Sequence, residues 1–314
     1  MFISLGEYLA DLFVNWDSGE TTDTVAVKIG GSPLNIAIAA ARLGVPAGFM
    51  CPLSSDSFGR RARDTLKRDG VRPLIELPVD APTAIAVIQL TAEGQPKYSF
   101  HRHGTADRAL DPTQLIDAIP DDCKALQFGS LCLVKDADWI TWRAVVAEAN
   151  RRDAVIAFDP NVRPALIDNL DDYRGRVRQA LELCHILKLS DEDLGHLAPG
   201  HDPNVLIPQW MNQYHLELAI LTGGSKATNA WHKSGLHVTE TPPQMAPIQD
   251  TVGAGDTFQG AAMSWLYDAK IHPRELGEET LLELLRFAHT AAALNCQRVG
   301  CTPPTKPEVL AHLN

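Results

Sequence analysis

Short apolar runs alternate with segments of helical periodicity over most of the 314-residue chain. Continuous apolar runs separated by helices are typical of a parallel sheet that is covered on both faces. The pattern therefore predicts a three-layer α/β/α sandwich with a mostly parallel central sheet. The clearest strands are predicted at 125–129, 154–159, 186–189 and 218–222, and the clearest helices at 138–152, 171–184 and 203–214.

Two regions depart from this rhythm. Residues 9–29 and 83–101 alternate apolar and polar positions with a period of two, which indicates strands with one face exposed. These strands would form either a small separate sheet that acts as a lid or an antiparallel edge of the main sheet. The rest of the pattern predicts one domain over residues 1–314, with the lid strands inserted at about 9–29 and 83–103.

Composition narrows the possible functions. The 45% hydrophobic content is enough for a sizeable core, and the net charge of −11 argues against a general nucleic-acid binder. No segment approaches the roughly 20 apolar residues of a membrane span, and the first residues lack the basic region of a signal peptide. The six cysteines form no C-x-x-C pair, so reduced thiols in a cytoplasmic protein are expected.

The most informative motif is Asp-Thr-Val-Gly-Ala-Gly-Asp-Thr-Phe at 250–258. An apolar helical face follows it, so Gly253 and Gly255 lie just before a helix N-terminus, where free amides and the helix dipole favour an anion. Asp256, at the edge of that site, would accept a proton from an attacking hydroxyl. The alternative is a tight turn with Asp256 as a helix cap. Neither a P-loop nor a dinucleotide fingerprint matches this chain.

A second glycine turn lies near the N-terminus. Gly30 and Gly31 precede Ser32, which is expected to cap a helix, and Pro33, which suits the first helical position. Asn35 would then project from the first turn towards whatever binds at the edge of the sheet. Taken alone, Asn35 fits a capping or exposed amide equally well.

Polar clusters follow two of the predicted strands, at 159–163 and 188–193. Open α/β sheets bind ligands at the carboxyl ends of their strands, although loops there are also simply polar. Glu192 and Asp193 would organise Mg²⁺ through water molecules. In the lid region, Arg102 fits either a group that faces a sugar or an anion, or a solvated charge.

Together, the segments 30–35 and 250–258 resemble the two signatures of the ribokinase-like (PfkB) carbohydrate kinase family, and the resemblance extends over nearly the whole chain. Gly6-Glu7 with Asp11 and the segments 158–163 and 190–194 are most similar to the fructokinase branch. The resemblance implies a ribokinase-like fold and transfer of the γ-phosphoryl group of ATP to a primary sugar hydroxyl, with D-fructose as the expected sugar.

The resemblance also implies a role for each matched residue. Asp256 is the expected catalytic base, and the anion hole is expected from the backbone at Gly253, Ala254 and Gly255. The expected sugar contacts are Asp11, Gly30, Gly31, Asn35, Arg102, Asp159 and Arg163. The expected contacts to ATP are Asn161, Lys188, Ser190, Thr222, Gly224, Gly253, Gly255 and His289. Asp193 and Glu192 are expected near Mg²⁺, and Asp250 and Thr251, with the loop Asn295–Gly300, resemble the site of the K⁺-activated members.

Three other interpretations share part of this pattern. A kinase of the same family that acts on ribose, 2-keto-3-deoxygluconate or a nucleoside has every motif above. A sugar or nucleotide sensor without catalysis would use the same fold, and a dinucleotide-dependent oxidoreductase is disfavoured by the missing fingerprint. Because unpaired lid strands would offer free edges, we also expect a homodimer formed through the lid.

Overall fold

The fold is taken from a computed structural model, which describes residues 1–14, 25–90 and 96–313. Its main sheet has nine strands in the order β13-β12-β11-β10-β9-β8-β1-β4-β5, and the seven from β11 to β5 are parallel. These strands are β1 (Phe2–Leu5), β4 (Ala47–Met50), β5 (Arg72–Pro73), β8 (Ala125–Gly129), β9 (Val155–Asp159), β10 (Ile186–Ser190), β11 (Leu218–Thr222), β12 (Thr228–His232) and β13 (His237–Glu240).

The helices cover both faces of this sheet. They are α1 (Ser32–Arg42), α2 (Ser57–Arg68), α3 (Pro112–Asp117), α4 (Asp136–Arg151), α5 (Leu170–Leu181), α6 (Asp191–Leu197), α7 (Pro203–Tyr214), α8 (Ala254–Ala269), α9 (Glu278–Cys296) and α10 (Lys306–Leu310). Adjacent strand residues such as Phe2 and Ile3 enter opposite apolar clusters, one packed by α1, α8 and α9 and the other by α4, α5 and α7. The three-layer sandwich is confirmed.

The predicted elements agree with the observed ones to within a few residues. The strands at 125–129 and 218–222 and the helix at 203–214 have the predicted bounds. The helix predicted at 171–184 ends earlier, at Leu181, because the chain turns there towards β10. In the described part of the chain, no helix is both long enough and apolar enough to cross a membrane.

The two irregular regions form a separate small sheet. Its strands are β2 (Leu9–Val14), β3 (Val25–Gly30), β6 (Ile85–Leu90) and β7 (Pro96–His101), in the order β3-β2-β6-β7. The expectation of a separate sheet is confirmed, and the alternative of an edge on the main sheet is wrong. The sequence also predicts a hairpin turn at Glu93-Gly94-Gln95, and these residues lie outside the described part of the chain.

The helices α1 and α8 pack closely because α8 has a glycine at the crossing. A Cβ atom on Gly260 would stand 2.7 Å from Cβ of Ala39 and 2.9 Å from the carbonyl oxygen of Ile36, both in α1. Since real Cβ atoms do not approach other atoms so closely, this approach of the two backbones requires glycine. The crossing brings the first turns of α1 and α8 together, and these turns carry the two glycine motifs.

Candidate active site

Asp256 lies in the first turn of α8, and Gly253 is the residue that caps this helix. The Asp256 carboxylate accepts hydrogen bonds from the Ser32 hydroxyl (2.7 Å to Oδ1) and from the Asn35 amide (2.8 Å to Oδ2). The interpretation of Asp256 as a plain helix cap is therefore wrong. The expectation that Ser32 caps α1 is wrong too, because Gly31 holds that position and the Ser32 side chain serves Asp256 instead.

The backbone at the start of α8 leaves amides free for an anion. The Ala254 amide donates to the carbonyl of Thr251 (3.2 Å), whereas the amides of Gly255 and Asp256 have no backbone acceptor among the described residues. Gly253 adopts φ +73°, a left-handed conformation that strains other residues. A Cβ atom there would also collide with the side chain of Cys301. Free amides at a helix N-terminus attract phosphate.

Lys188 brings a buried positive charge to the same place. The position that a Cβ atom on Gly255 would take is 3.4 Å from Nζ of Lys188, which donates to Oδ2 of Asp159 at 2.7 Å. Burial alone would lower the pKa of Lys188, but Asp159, Asp193 and Asp256 raise it, so the ammonium stays protonated. Burial raises the pKa of Asp159 to about 6. Asp159 thus holds the Lys188 ammonium close to Gly255, one of the two residues with free amides.

The lid contributes a second carboxylate, that of Asp11, near Asp256. The space between the lid and the core is called the cleft. Burial raises the pKa of Asp11, on β2, to about 7, with Arg163 and Lys28 lowering it and Asp256 raising it. Asp11 therefore lies within electrostatic reach of Arg163, Lys28 and Asp256. The Asp11 carboxylate lies against Gly30. The predicted sugar contacts Asp11, Gly30 and Arg163 are thereby brought near the predicted base, Asp256.

Gly31 allows the lid to join the core closely. It adopts φ +115°, and a Cβ atom there would lie 2.8 Å from the carbonyl oxygen of Glu7 and from Cα of Tyr8. Because Glu7 and Tyr8 connect β1 with β2, the first turn of α1 is packed directly against the base of the lid. The structure supports a role for Gly31 in this packing, and its contact with a sugar stays a prediction.

Arg102 lies in a buried ion-pair network. Its Nε donates to Oδ2 of Asp107 at 2.6 Å, and its Nη1 lies 3.4 Å from Oδ2 of Asp138. The Arg102 side chain is only 8% exposed. The guanidinium is therefore held by two carboxylates at the end of lid strand β7, and its contact with a sugar stays a prediction.

The carboxylate of Asp193 is occupied by donors from the protein. Oδ1 accepts from the amide of Val162 (2.7 Å), and Oδ2 accepts from the hydroxyl (2.7 Å) and the amide (2.9 Å) of Ser190. Ser190 and Asp193 thus form a capping box at the start of α6. Glu192 is exposed. Within the described ranges, no group of three acidic, histidine or cysteine side chains is arranged to hold a metal ion.

The residues predicted to contact the nucleotide are spread along the same edge of the sheet. Thr222 ends β11, and its hydroxyl donates to the carbonyl of Leu189 at 3.4 Å. Gly224, in the following loop, has open space around it. Asn161 follows β9 with φ +39°. The loops after three neighbouring strands therefore meet at this edge, as expected of a site in an open α/β sheet.

His289, also predicted to contact the nucleotide, is buried. Its ring, on α9, packs edge-on against Phe258 with 5.1 Å between centroids, and burial lowers its pKa to about 4. The imidazole is therefore neutral at physiological pH. Its Nε2 has no hydrogen-bond partner in the described residues. This position behind α8 explains its burial, and contact with ATP stays a prediction.

Two loops that the resemblance associates with a monovalent cation are bound to each other. Asp250 accepts hydrogen bonds from the amides of Val252 (3.0 Å) and Gly300 (2.7 Å). Asn295 donates to the carbonyl of Val252 and accepts from the amide of Thr302. Thr251 is exposed. The loops at 250–253 and 295–302 are thus one unit directly beside the anion site.

Comparisons with known proteins agree with this geometry. A model of the pfkB family carbohydrate kinases matches residues 2–308. Fructokinase of Rhizobium leguminosarum bv. trifolii is 32% identical over 268 residues, which are 85% of this chain and 79% of that protein. Probable fructokinase-4 of Arabidopsis thaliana is 30% identical over 98% of this chain and 95% of its own length.

A solved structure shows the same fold. The chain superimposes on the crystal structure of fructokinase with bound ATP from Xylella fastidiosa with a TM-score of 0.86 and 26% identity, covering 99% of this chain and 97% of the other. The family match spans nearly the whole sequence and includes the residues that surround Asp256. The chain belongs to the PfkB family of carbohydrate kinases.

Proposed function

We propose that the protein transfers the γ-phosphoryl group of ATP to the primary 6-hydroxyl of D-fructose and forms fructose 6-phosphate. The observation that carries this proposal is the placement of Asp256. A carboxylate oriented by Ser32 and Asn35 stands beside free helix amides and the Lys188 ammonium. Relatives named fructokinase support the choice of sugar.

In this reaction Asp256 acts as the base. The hydroxyl oxygen of the sugar forms a bond with the γ-phosphorus, the bond from that phosphorus to the β–γ bridging oxygen breaks, and ADP leaves with the bond electrons. The hydroxyl proton passes to Asp256 as the new bond forms. Phosphoryl transfer has a loose transition state, so positioning and charge neutralisation dominate catalysis.

The helix N-terminus and Lys188 supply that neutralisation. The amides of Gly255 and Asp256, which have no backbone acceptor among the described residues, would donate to the transferring group, and Lys188 would add a positive charge beside them. Removing one well-placed donor of this kind costs about 3–4 kcal/mol in other enzymes. Because these groups are held by the helix and by Asp159, they need little rearrangement during the reaction.

The sugar would lie between the lid and the core. Asp11 on β2 is the expected acceptor for sugar hydroxyls, with Arg163 and Asn35 as further polar contacts. The lid sheet would close over the sugar and exclude water, which competes with it as an acceptor. The outer lid strands β3 and β7 each have one neighbouring strand among the described residues, which supports pairing with a second copy of the chain.

Mg²⁺ is proposed as the metal that accompanies ATP, and it would neutralise charge on the phosphates. Oδ1 of Asp159 is buried and has no hydrogen-bond partner among the described residues, so it fits a water of the metal's hydration shell. Glu192, which is exposed near the same edge, would act through water in the same way. K⁺ is proposed at the unit formed by Asp250 and the loop 295–302, where it would support the anion site.

A coupled ADP-release assay with Mg-ATP tests the proposal. The panel contains fructose, ribose, glucose, mannose, 2-keto-3-deoxygluconate and adenosine, each with and without K⁺. Preference for fructose is the expected result. Preference for another acceptor would leave the proposed roles of Asp256 and Lys188 unchanged and would show that fructose is not the preferred substrate. Silence across the panel, with ATP still binding, would instead favour a sensor.

A further inference from the structure

Lys28 lies on the face of the lid that looks into the cleft. In the antiparallel pair of β2 and β3, Lys28 is directly opposite Asp11, and opposite residues of such a pair project from the same face. Asp11 interacts with Asp256 and Arg163 across the cleft, so this face is the inner one. Phe13, two positions along β2, lies on it too, with its ring centre 5.4 Å from Nζ of Lys28.

The Lys28 side chain reaches from the lid to the core. The position that a Cβ atom on Gly300 would take is 2.6 Å from Nζ of Lys28 and 3.3 Å from its Cδ. Gly300 donates its amide to Asp250, and the next residue, Cys301, fills the space beside Gly253. The ammonium of Lys28 therefore lies against Gly300, the neighbour in sequence of Cys301, and the Cys301 side chain packs against Gly253 at the start of the anion site.

This ammonium forms no close ion pair in the parts of the chain that the structure describes. There, Lys28 has no carboxylate within 4 Å and no hydrogen-bond partner, and Asp11, opposite it in the lid, interacts with it at longer range. Its half-buried side chain lies over the ring of Phe13. A half-buried ammonium without a close anion loses hydration and gains little in return. By contrast, Lys188, which lies beside Gly255, is paired with Asp159.

We propose that Lys28 is a catalytic residue of the lid that contacts the transferring phosphoryl group. Once the lid is closed, its ammonium would face the free amides at the start of α8, with Lys188 on the other flank. The proposal rests on the proposed function, because it assigns a partner to the γ-phosphoryl group of that reaction.

The test compares Lys28→Met with Lys28→Arg in K⁺-free buffer. A charged hydrogen bond of this kind is worth about tenfold to a hundredfold, so Lys28→Met should lower kcat by that factor and change KM for the sugar much less. Lys28→Arg should keep most of the activity because it keeps the charge. Lys124→Met is the matched control, since Lys124 is exposed at the start of β8, at the opposite end of the parallel strands.

A binding measurement separates this proposal from the proposed function. Calorimetric titration of Lys28→Met should show weaker ATP binding and unchanged ADP binding, because only ATP carries the γ-phosphoryl group. If the wild type phosphorylated no sugar, the proposed function would be wrong, and the ratio of ATP to ADP affinity would still decide the role of Lys28. An unchanged ratio with unchanged kcat would overturn it. If KCl restored the kcat of Lys28→Met, the proposal would also be overturned, because the ammonium would then only replace a bound monovalent cation.

Discussion

Nδ2 of Asn35 donates a hydrogen bond of 2.8 Å to Oδ2 of Asp256, although 221 positions separate the two residues in the chain. The Ser32 hydroxyl binds the other oxygen of the same carboxylate. Both donors come from the first turn of α1, and the acceptor comes from the first turn of α8. The two glycine motifs therefore build one site, in which the orientation of the base depends on how two helices pack.

Replacement of the base is the first prediction. Asp256→Asn should lower kcat by about 10²- to 10⁴-fold, the range expected for a positioned general base, because an amide does not accept the hydroxyl proton. Binding of ATP and sugar should survive, since the shape of the side chain is kept. Steady-state ADP release measures kcat, and calorimetry measures ATP binding.

The control for this variant lies on the same helix. Asp268→Asn alters a half-exposed carboxylate near the other end of α8, where it pairs with Lys306. It should leave turnover unchanged, since an ion pair this exposed contributes little. Turnover of Asp256→Asn close to that of Asp268→Asn would show that Asp256 is not the base.

The raised pKa of Asp11 predicts that the affinity for the sugar depends on pH. Burial raises its pKa to about 7, and the ionised form is the better acceptor for sugar hydroxyls. The affinity for the sugar should therefore rise as the pH increases through about 7, while KM for ATP changes much less. Asp11→Asn should weaken sugar binding and remove this rise. An equal effect of the variant on both substrates would exclude Asp11 from the sugar site.

The same carboxyl group affects stability in the opposite direction. Because its pKa is about 7 in the folded protein and near 3.8 in the unfolded chain, its contribution is full below pH 4 and is lost as the pH rises through 7. Asp11→Asn should therefore be more stable than the wild type at pH 8, with the difference disappearing towards pH 4. Urea unfolding at the two pH values measures this, and a difference that grew towards pH 4 would contradict it.

The pair of Lys188 and Asp159 offers a test of whether Lys188 only supports the fold. Lys188→Met leaves a buried carboxylate without its partner, which should lower the free energy of unfolding by about 3–5 kcal/mol. It also removes the charge beside Gly255, so kcat should fall. The double variant Lys188→Met/Asp159→Leu should regain stability and stay inactive. Recovery of activity together with stability would show that Lys188 only supports the fold.

Much of the fold was predictable because its signals are local. Apolar runs such as 218–222 are buried on both faces, and that burial requires the continuous pattern seen in the sequence. Gly253 and Asn35 were identified one at a time from their turns. The capping role of Asp193 also had a local signal, since Ser190 lies three residues before it, as in a capping box. The family resemblance nevertheless implies a place near Mg²⁺ for its carboxylate.

The other features depend on contacts between distant segments. Arg102 pairs with Asp138, 36 positions along the chain, and the sequence holds many carboxylates that would serve equally well. Lys28 faces the cleft because β2 and β3 pair in one register, which a period-two pattern alone does not specify. Ser32 looked like a helix cap because its partner, Asp256, lies on another helix.

The crossing of α1 and α8 carries the last prediction. Gly260→Ala places a methyl group against Ala39 and Ile36, so the helices must move apart, and overpacking of this kind costs about 1–3 kcal/mol of stability. Because the movement also separates Asn35 from Asp256, kcat should fall even at temperatures where the variant remains folded. Thermal unfolding and ADP release at 25 °C measure the two effects.

Two further variants test whether the packing of α1 against α8 causes the losses of stability and turnover. Gly175→Ala, in α5, would have only Nη2 of Arg178 within reach among the described residues, at 3.9 Å, and should raise stability by about 0.5–1 kcal/mol. Addition of Ala39→Gly to Gly260→Ala removes one of the two clashing atoms and should restore part of both stability and turnover. If the second substitution restored stability alone, the link between helix packing and the orientation of Asp256 would be wrong, because Asn35 would then act independently of the crossing.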